Sequence, residues 1–340
     1  MTASGGKGIF RQRTTRGGVF PAGQKYPMDQ HFLQLRSRGC QGAWEVFQRA
    51  REMRLKAISD RTGANNAPTP RPDLRLALYF APGEESMEAA WRETARRLSA
   101  TTLFLTGEGD SLAGALGAGA SGADLLVVGG LAPDMVTELA RLAPAPLINA
   151  GNETARPCRV LADLLAASLY RDPAATSLET LRMGWLGDAD GVNAGLVRSW
   201  LDAALCFHLE LFLAFPQGHE PDADHLDFAM SAGAKIFLSY DPLPAVDGCH
   251  ALAVAPWNSS ARGLRPRHPL VSDTELVRAV AGIPVCSFDA DVSPEADARW
   301  VADREACLQA CQTAVVELMR PSTGDSVNVQ QGDARSAATR

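Results

Sequence analysis

The sequence predicts an α/β protein built as two doubly wound parallel-sheet domains joined by a helix. Three observations predict it. Short apolar runs alternate with helical stretches through both halves of the chain; a segment of hinge composition, Arg171-Asp-Pro-Ala-Ala-Thr-Ser177, divides the halves; and 340 residues, 46% of them hydrophobic, suffice for two cores of ordinary size. A strand that feeds a helix and then another strand makes parallel pairs, so both faces of each sheet are expected to lie under helices.

The elements follow in order. Residues 1–28 carry Lys7, Arg11, Arg13, Arg16 and Lys25 and no acid, while Gly5-Gly6, Gly17-Gly18 and Pro21 interrupt any apolar face; a disordered basic arm is expected rather than a transit peptide. From Trp44 to Ala57, Trp44, Val46, Phe47, Ala50, Met53 and Leu55 recur at helical spacing and predict an amphipathic helix. Leu74 to Phe80 is a strand before the helix Ser86 to Leu98. The unit recurs as Thr102 to Thr106 before Ser111 to Ala118, Ala123 to Val128 before Asp134 to Leu142, and Pro146 to Asn149 before Pro157 to Tyr170.

In the second half the strands are Leu181 to Leu186, Leu209 to Phe215, Lys235 to Ser239, Ala251 to Ala255 and Val285 to Phe288, with helices over Val192 to Cys206 and Leu226 to Ala232. Ala296 to Met319 reads as one long helix or two, packing back across the first domain, and Pro321 to Arg340 is a polar tail. The expected division is therefore 1–28, 29–165, 166–305, a C-terminal helix over 306–320, and a disordered tail over 321–340.

Composition excludes several classes of function. A net charge of -6 offers nucleic acid no basic surface, and no apolar run approaches the ~18 residues a bilayer span needs. Seven scattered cysteines without a Cys-x-x-Cys pair argue against a disulfide framework or a zinc knuckle. Cys307 and Cys311, one helical turn apart, have no His nearby and are expected to pack in the core; His208, His219, His225 and His250 show no metal-ligand spacing. Gly187-Asp-Ala-Asp-Gly191 lacks the full dinucleotide fingerprint. A cytoplasmic protein with neither metal nor cofactor is expected.

Motifs spread from about His31 to about Glu317 narrow the fold. They are His31-Phe32-Leu33, Leu147-Ile-Asn-Ala150, Arg156-Pro-Cys-Arg-Val-Leu-Ala-Asp-Leu164, Met183-Gly-Trp-Leu-Gly-Asp188, Phe215-Pro216 with Glu220-Pro221, and Asp241-Pro242 with Ala245-Val246 and Trp257-Asn258-Ser259. In order and spacing this set resembles the aspartate/ornithine carbamoyltransferase family. The resemblance implies a carbamoyl-phosphate-type domain over 29–165, an amino-acid-type domain over 166–305, and a homotrimer.

That family pins a dianionic phosphate and polarises a carbonyl, for which guanidinium forks and a helix N-terminus are suited. By the resemblance its Ser-Thr-Arg-Thr-Arg falls on Glu84-Glu85-Ser86-Met87-Glu88, so two cations give way to three acids. At ~4 Å and an effective dielectric of ~20 each like-charge contact costs about 4 kcal/mol. A further phosphate arginine falls on Gly129, and the His and Gln of His-Pro-x-Gln fall on Arg156 and Arg159. The loop Gly107-Glu-Gly-Asp-Ser111 lacks the lysine that many members lend to a neighbouring subunit.

On the amino-acid side the positions fall on Gly191, Gly195, Ala255, Ser259, Ser260, Cys286 and Ser287; only Ser259 and Arg304 keep the family's residue types. Glu84, Glu85 and Glu88 also have a plain role in complementing a helix dipole, with Ser86 as a cap. Arg156 and Arg159 either bind another anion in the vacated cleft or pair with Glu84 and Glu85. Three functions remain open: a non-catalytic binding or scaffolding member, a pseudoenzyme partnering an active paralogue or pathway enzyme; a divergent transferase acting on an amino acid or amine; and a sensor of a small anionic or amino-acid ligand.

Overall fold

The computed structural model describes residues 30–60, 68–107, 112–255, 283–287 and 298–320. The expected basic arm, the polar tail and the candidate residues Ser259 and Ser260 lie outside the described residues.

Two all-parallel sheets form the frame. The first holds β1 (Arg75–Phe80), β2 (Thr101–Phe104), β3 (Leu125–Gly129) and β4 (Leu147–Gly151) in the order β2-β1-β3-β4. Every residue of β3 and β4 is buried, as expected for strands covered on both faces. The His31-Phe32-Leu33 segment lies beside β4: the Phe32 N–H donates to the Leu147 carbonyl at 2.8 Å, and Asn149 Nδ2 donates to the Leu33 carbonyl at 3.0 Å. The second sheet orders β5 (Arg182–Leu186), β6 (Glu210–Ala214), β7 (Lys235–Ser239), β8 (Ala251–Val254) and β9 (Val285–Ser287) as β7-β6-β5-β8-β9.

The helices are α1 (Gly39–Ser59), α2 (Glu85–Arg97), α3 (Leu112–Gly119), α4 (Pro133–Leu142), α5 (Pro157–Arg171), α6 (Ala194–Phe207), α7 (Ala223–Ser231), α8 (Pro242–Val246) and α9 (Ala298–Met319). The C-terminal stretch is thus one helix, and it packs on α5, α1 and α2. α1 begins at Gly39, five residues before its amphipathic pattern, because Gly42 and Ala43 are small enough to be buried against its neighbours. α8 is too short to show a period; Asp241 caps it, accepting from the Leu243 N–H at 3.1 Å.

The two sheets share one core. A single buried cluster runs from Phe32 and Phe47 through Trp91, Leu161, Trp185 and Trp200 to Met319. Each large side chain removed from water contributes about 1.5–3 kcal/mol, so the halves are held together hydrophobically as well as by their linker. Polar ties reinforce the joint. Arg36 reaches Asp202 of α6 at 2.6 Å, and Trp44 Nε1 donates to the Cys206 carbonyl at 2.9 Å. One disulfide, Cys40–Cys206, fastens the first turn of α1 to the last turn of α6. Scattered spacing gave no sign of it, since its partners lie 166 residues apart. Cys307 and Cys311 are buried thiols.

Candidate functional site

In open parallel sheets ligands sit beyond the carboxyl ends of the strands, where strand order reverses. Here the reversals fall between β1 and β3 in one sheet and between β5 and β8 in the other. The loop Ala81 to Glu84, Gly129-Gly130, Gly187 to Asp190 and Ala255 all leave those strand ends.

The first crevice is filled by side chains. A β-carbon placed on Gly129 would lie 2.5 Å from Phe80 Cδ1 and 2.8 Å from Met87 Sδ, and one on Gly151 would lie 2.9 Å from Met87 Cε. The Met87 thioether and the Phe80 ring therefore close directly on the backbone at the ends of β3 and β4. Gly130, at φ +74°, has Glu84 Cγ over it in the same way, 2.8 Å from where a β-carbon would stand. Thioethers suit irregular gaps of this kind.

The acids of the first turn of α2 are used locally. Glu84 occupies the N-cap position without a side-chain cap bond, Glu85 accepts from the Gly83 N–H at 3.2 Å, and Glu88 pairs with Arg92 one turn on. Ser86 does not cap the helix. Complementing the positive end of the helix is the role these carboxylates fill.

Arg156 and Arg159 do not pair with Glu84 or Glu85. Arg156 is the N-cap residue of α5; its backbone N–H donates to Ser199 Oγ at 2.9 Å, and its buried Nε has no partner among the described residues. Arg159 faces Asp163 at 3.6 Å, a spacing of one helical turn, and burial works to lower its pKa against the pull of that carboxylate. Both guanidinium groups line a cavity of ≈ 770 Å³ between α2, α5 and α9. Beside them Arg304 of α9 reaches the fully buried Asp163, Nε to Oδ1 at 2.6 Å. Burial opposes the charge on Arg304, yet Asp163 holds its pKa above the ordinary value. Cys286, in contact with this group, has its thiol pushed up to about 12 by burial and is not poised as a nucleophile.

On the second sheet the candidate glycines mark close approaches and turns. A β-carbon on Gly195 would run into the Asn152 carbonyl, so the start of α6 rests directly on the loop entering α5. Gly191, at φ +54°, starts a 3-10 turn. The Ala255 N–H donates to the Leu186 carbonyl at 2.9 Å, and the Ala255 carbonyl presses on Gly187. Ser287 ends β9, paired with Val254.

Sequence reasoning missed two constellations. Asp202, 2% exposed, accepts Arg36 and also lies 3.0 Å from His225 Nε2, tying three elements together. His219 Nδ1 lies 3.0 Å from Asp190 and 3.9 Å from Asp188, and the Asp190 contact raises the imidazole pKa. The donor atoms of Asp188, Asp190 and His219 fall within 4.8 Å of one another, close enough for a metal ion. Asp188 and Asp190 share one loop and His219 lies on another, so no spacing motif announces the set.

No family model matches the chain. Individual proteins do. The ornithine carbamoyltransferase of Oleidesulfovibrio alaskensis is 33% identical over 239 residues, 68% of this chain and 74% of that protein. The ornithine carbamoyltransferase of Roseobacter denitrificans is 26% identical over 235 residues, 67% and 74% of the two chains. Among solved structures, ornithine carbamoyltransferase from Burkholderia thailandensis superposes with a TM-score of 0.67 at 19% identity, covering 86% of this chain and 98% of that one. The catalytic subunit of M. jannaschii aspartate transcarbamoylase gives 0.64 at 16% identity, covering 85% and 97%.

Proposed function

We propose that this chain, which belongs to the aspartate/ornithine carbamoyltransferase family, has given up carbamoyl phosphate and serves as a non-catalytic binding or scaffolding member of that family. One observation carries the proposal: the crevice at the strand reversal of the first sheet is occupied by Met87 and Phe80, with Glu84 packed over Gly130 beside them. A phosphate dianion there would have to displace a packed thioether and would meet the Glu84 carboxylate in place of guanidinium groups.

Loss at one position could be offset by a neighbour. Here the positions that resemble the phosphate contacts, Glu84 to Glu88, Gly129, Arg156 and Arg159, have changed together, and Arg156 and Arg159 open into the adjoining cavity between α2, α5 and α9. On the amino-acid side Gly191, Gly195, Ala255 and Cys286 supply no side-chain group suited to orient an attacking amine. Family resemblance supports a homotrimer, and a scaffolding role would place an active paralogue or a pathway enzyme beside it.

The test is turnover. Purified protein is assayed for citrulline from carbamoyl phosphate and ornithine, and for carbamoyl-aspartate from carbamoyl phosphate and aspartate. No product above the uncatalysed rate is expected; product formed in proportion to protein would establish the second reading, a divergent transferase. That second reading is favoured by the 33% identity to proteins named ornithine carbamoyltransferase.

A further inference from the structure

The seven cysteines fall into two groups. Cys158, Cys249, Cys286, Cys307 and Cys311 are free and buried, and burial pushes the thiols of the first four up to about 12 and raises that of Cys311. The thiolate is the reactive form, so these five are inert while the chain is folded. Cys40 and Cys206 are bonded to each other, and Cys40 is the one cysteine of the seven that is not buried. Sulfur chemistry in the folded protein is therefore confined to this bridge, and a reductant meets it from the Cys40 side.

The bridge lies at one end of a helix whose other end reaches the wall of the candidate cavity. In the last turn of α6, Cys206 is bonded to Cys40 in the first turn of α1, and its carbonyl accepts from Trp44 Nε1 at 2.9 Å. One turn back Asp202 pairs with Arg36 at 2.6 Å. Further back Ser199 Oγ accepts the Arg156 N–H at 2.9 Å, and Gly195 lies so close to the Asn152 carbonyl that a β-carbon would not fit. Trp44, Arg36, Arg156 and Asn152 all belong to the first half of the chain, so α6 is a strut by which the second half rests on the first. Apart from the chain itself the bridge is its covalent tie; the others are hydrogen bonds, packing and an ion pair.

We infer that Cys40–Cys206 is a redox latch: a dithiol reductant opens it in the folded protein, α6 loosens against α1, and the helix carries the change to Arg156 and the cavity that Arg156 lines. In the first step a reductant thiolate attacks Cys40 Sγ, forms a mixed disulfide and expels Cys206. In the second the other reductant thiolate attacks its partner sulfur and expels Cys40. Two electrons and two protons pass to the protein, and the reductant leaves as a disulfide. The positive end of α1 favours the departure of Cys40 as a thiolate. The inference holds whatever the cavity binds, since it concerns the joint and not the ligand.

The experiment compares the oxidised full chain with the same chain treated with dithiothreitol, by iodoacetamide labelling without denaturant and by amide hydrogen exchange. Labelling is expected at Cys40 in the treated sample and at none of the five buried thiols. Treatment is expected to quicken exchange at Arg156 and at Trp200 to Cys206 by at least about tenfold more than in β3, with little dependence on urea, as local opening requires. Oxidised glutathione should restore the slow rates. Cys40→Ser is expected to exchange as the treated chain does, with or without dithiothreitol; the oxidised and reduced natural chain decides the matter if that variant does not fold. Two results would overturn the inference: no labelling of Cys40 by dithiothreitol unless urea is added, or exchange at Arg156 and α6 that is unchanged or quickens by the same factor as β3, which would make the bridge a structural cross-link.

Discussion

Gly129 and Met87 close the crevice at the ends of β3 and β4. Gly129 tolerates no β-carbon while Phe80 and Met87 lie against it, so Gly129→Ala is expected to destabilise the fold by about 1–3 kcal/mol in chemical denaturation. Adding Met87→Ala should recover part of that loss, a coupling that unrelated sites would not show. A second prediction concerns acid. His31 accepts the Leu147 N–H on Nδ1 at 2.9 Å, and burial lowers its pKa below the ordinary ~6.5. Its contribution is therefore complete above the unfolded value and lost as pH falls through the folded one; Tm should drop in mildly acidic buffer, and His31→Gln should flatten that drop. The candidate site positions were placed in the sequence by resemblance to the family's motifs. Their new contacts were not. Met87 as a filler depends on strand ends distant in sequence, whereas the Arg159–Asp163 contact, at a spacing of one helical turn, could have been read directly.

Among the elements, α1, α5, α6 and α9 decide how the halves sit together. The Cys40–Cys206 bridge closes a loop of 166 residues, and Cys40→Ser is expected to cost about 2–4 kcal/mol of stability. Thiol titration of the denatured, unreduced protein should find five free thiols of the seven cysteines. At the other joint Asp163 is fully buried and Arg304 is its ion-pair partner from α9. Arg304→Met leaves that carboxylate only the longer Arg159 contact and is expected to cost about 3 kcal/mol in a urea titration. Most elements were legible to within one or two residues, since strands such as Lys235–Ser239 and helices such as Pro157–Arg171 carry strong patterns and end in Gly, Pro or turn residues. The starts of α1 and α7 and the whole of α8 were not: burial of Gly42 and Ala43 outweighs helix propensity in α1, the first turn of α7, Ala223-Asp-His225, is set by the Asp222 cap rather than by an apolar period, and the five residues of α8 hold no period.

For the whole molecule, two parallel sheets flanked by helices are the architecture shared with the carbamoyltransferase structures, and the motifs from His31 to Glu317 carried that expectation in the sequence. Function does not travel with the architecture; it depends on the groups at the strand ends. If the trimer implied by the resemblance is kept, light scattering after size exclusion should give three times the 36.2 kDa chain mass. No helix among the described residues is long and apolar enough to cross a membrane. The central claim is that the first crevice no longer accepts carbamoyl phosphate, and calorimetric titration of the purified chain with that compound tests it most directly. No saturable heat is expected up to about 1 mM, corresponding to a binding free energy weaker than about -4.1 kcal/mol. A saturable isotherm in the micromolar range would contradict it, and would mean that the Met87 and Phe80 side chains move aside and that Arg156 or Arg159 holds the phosphate.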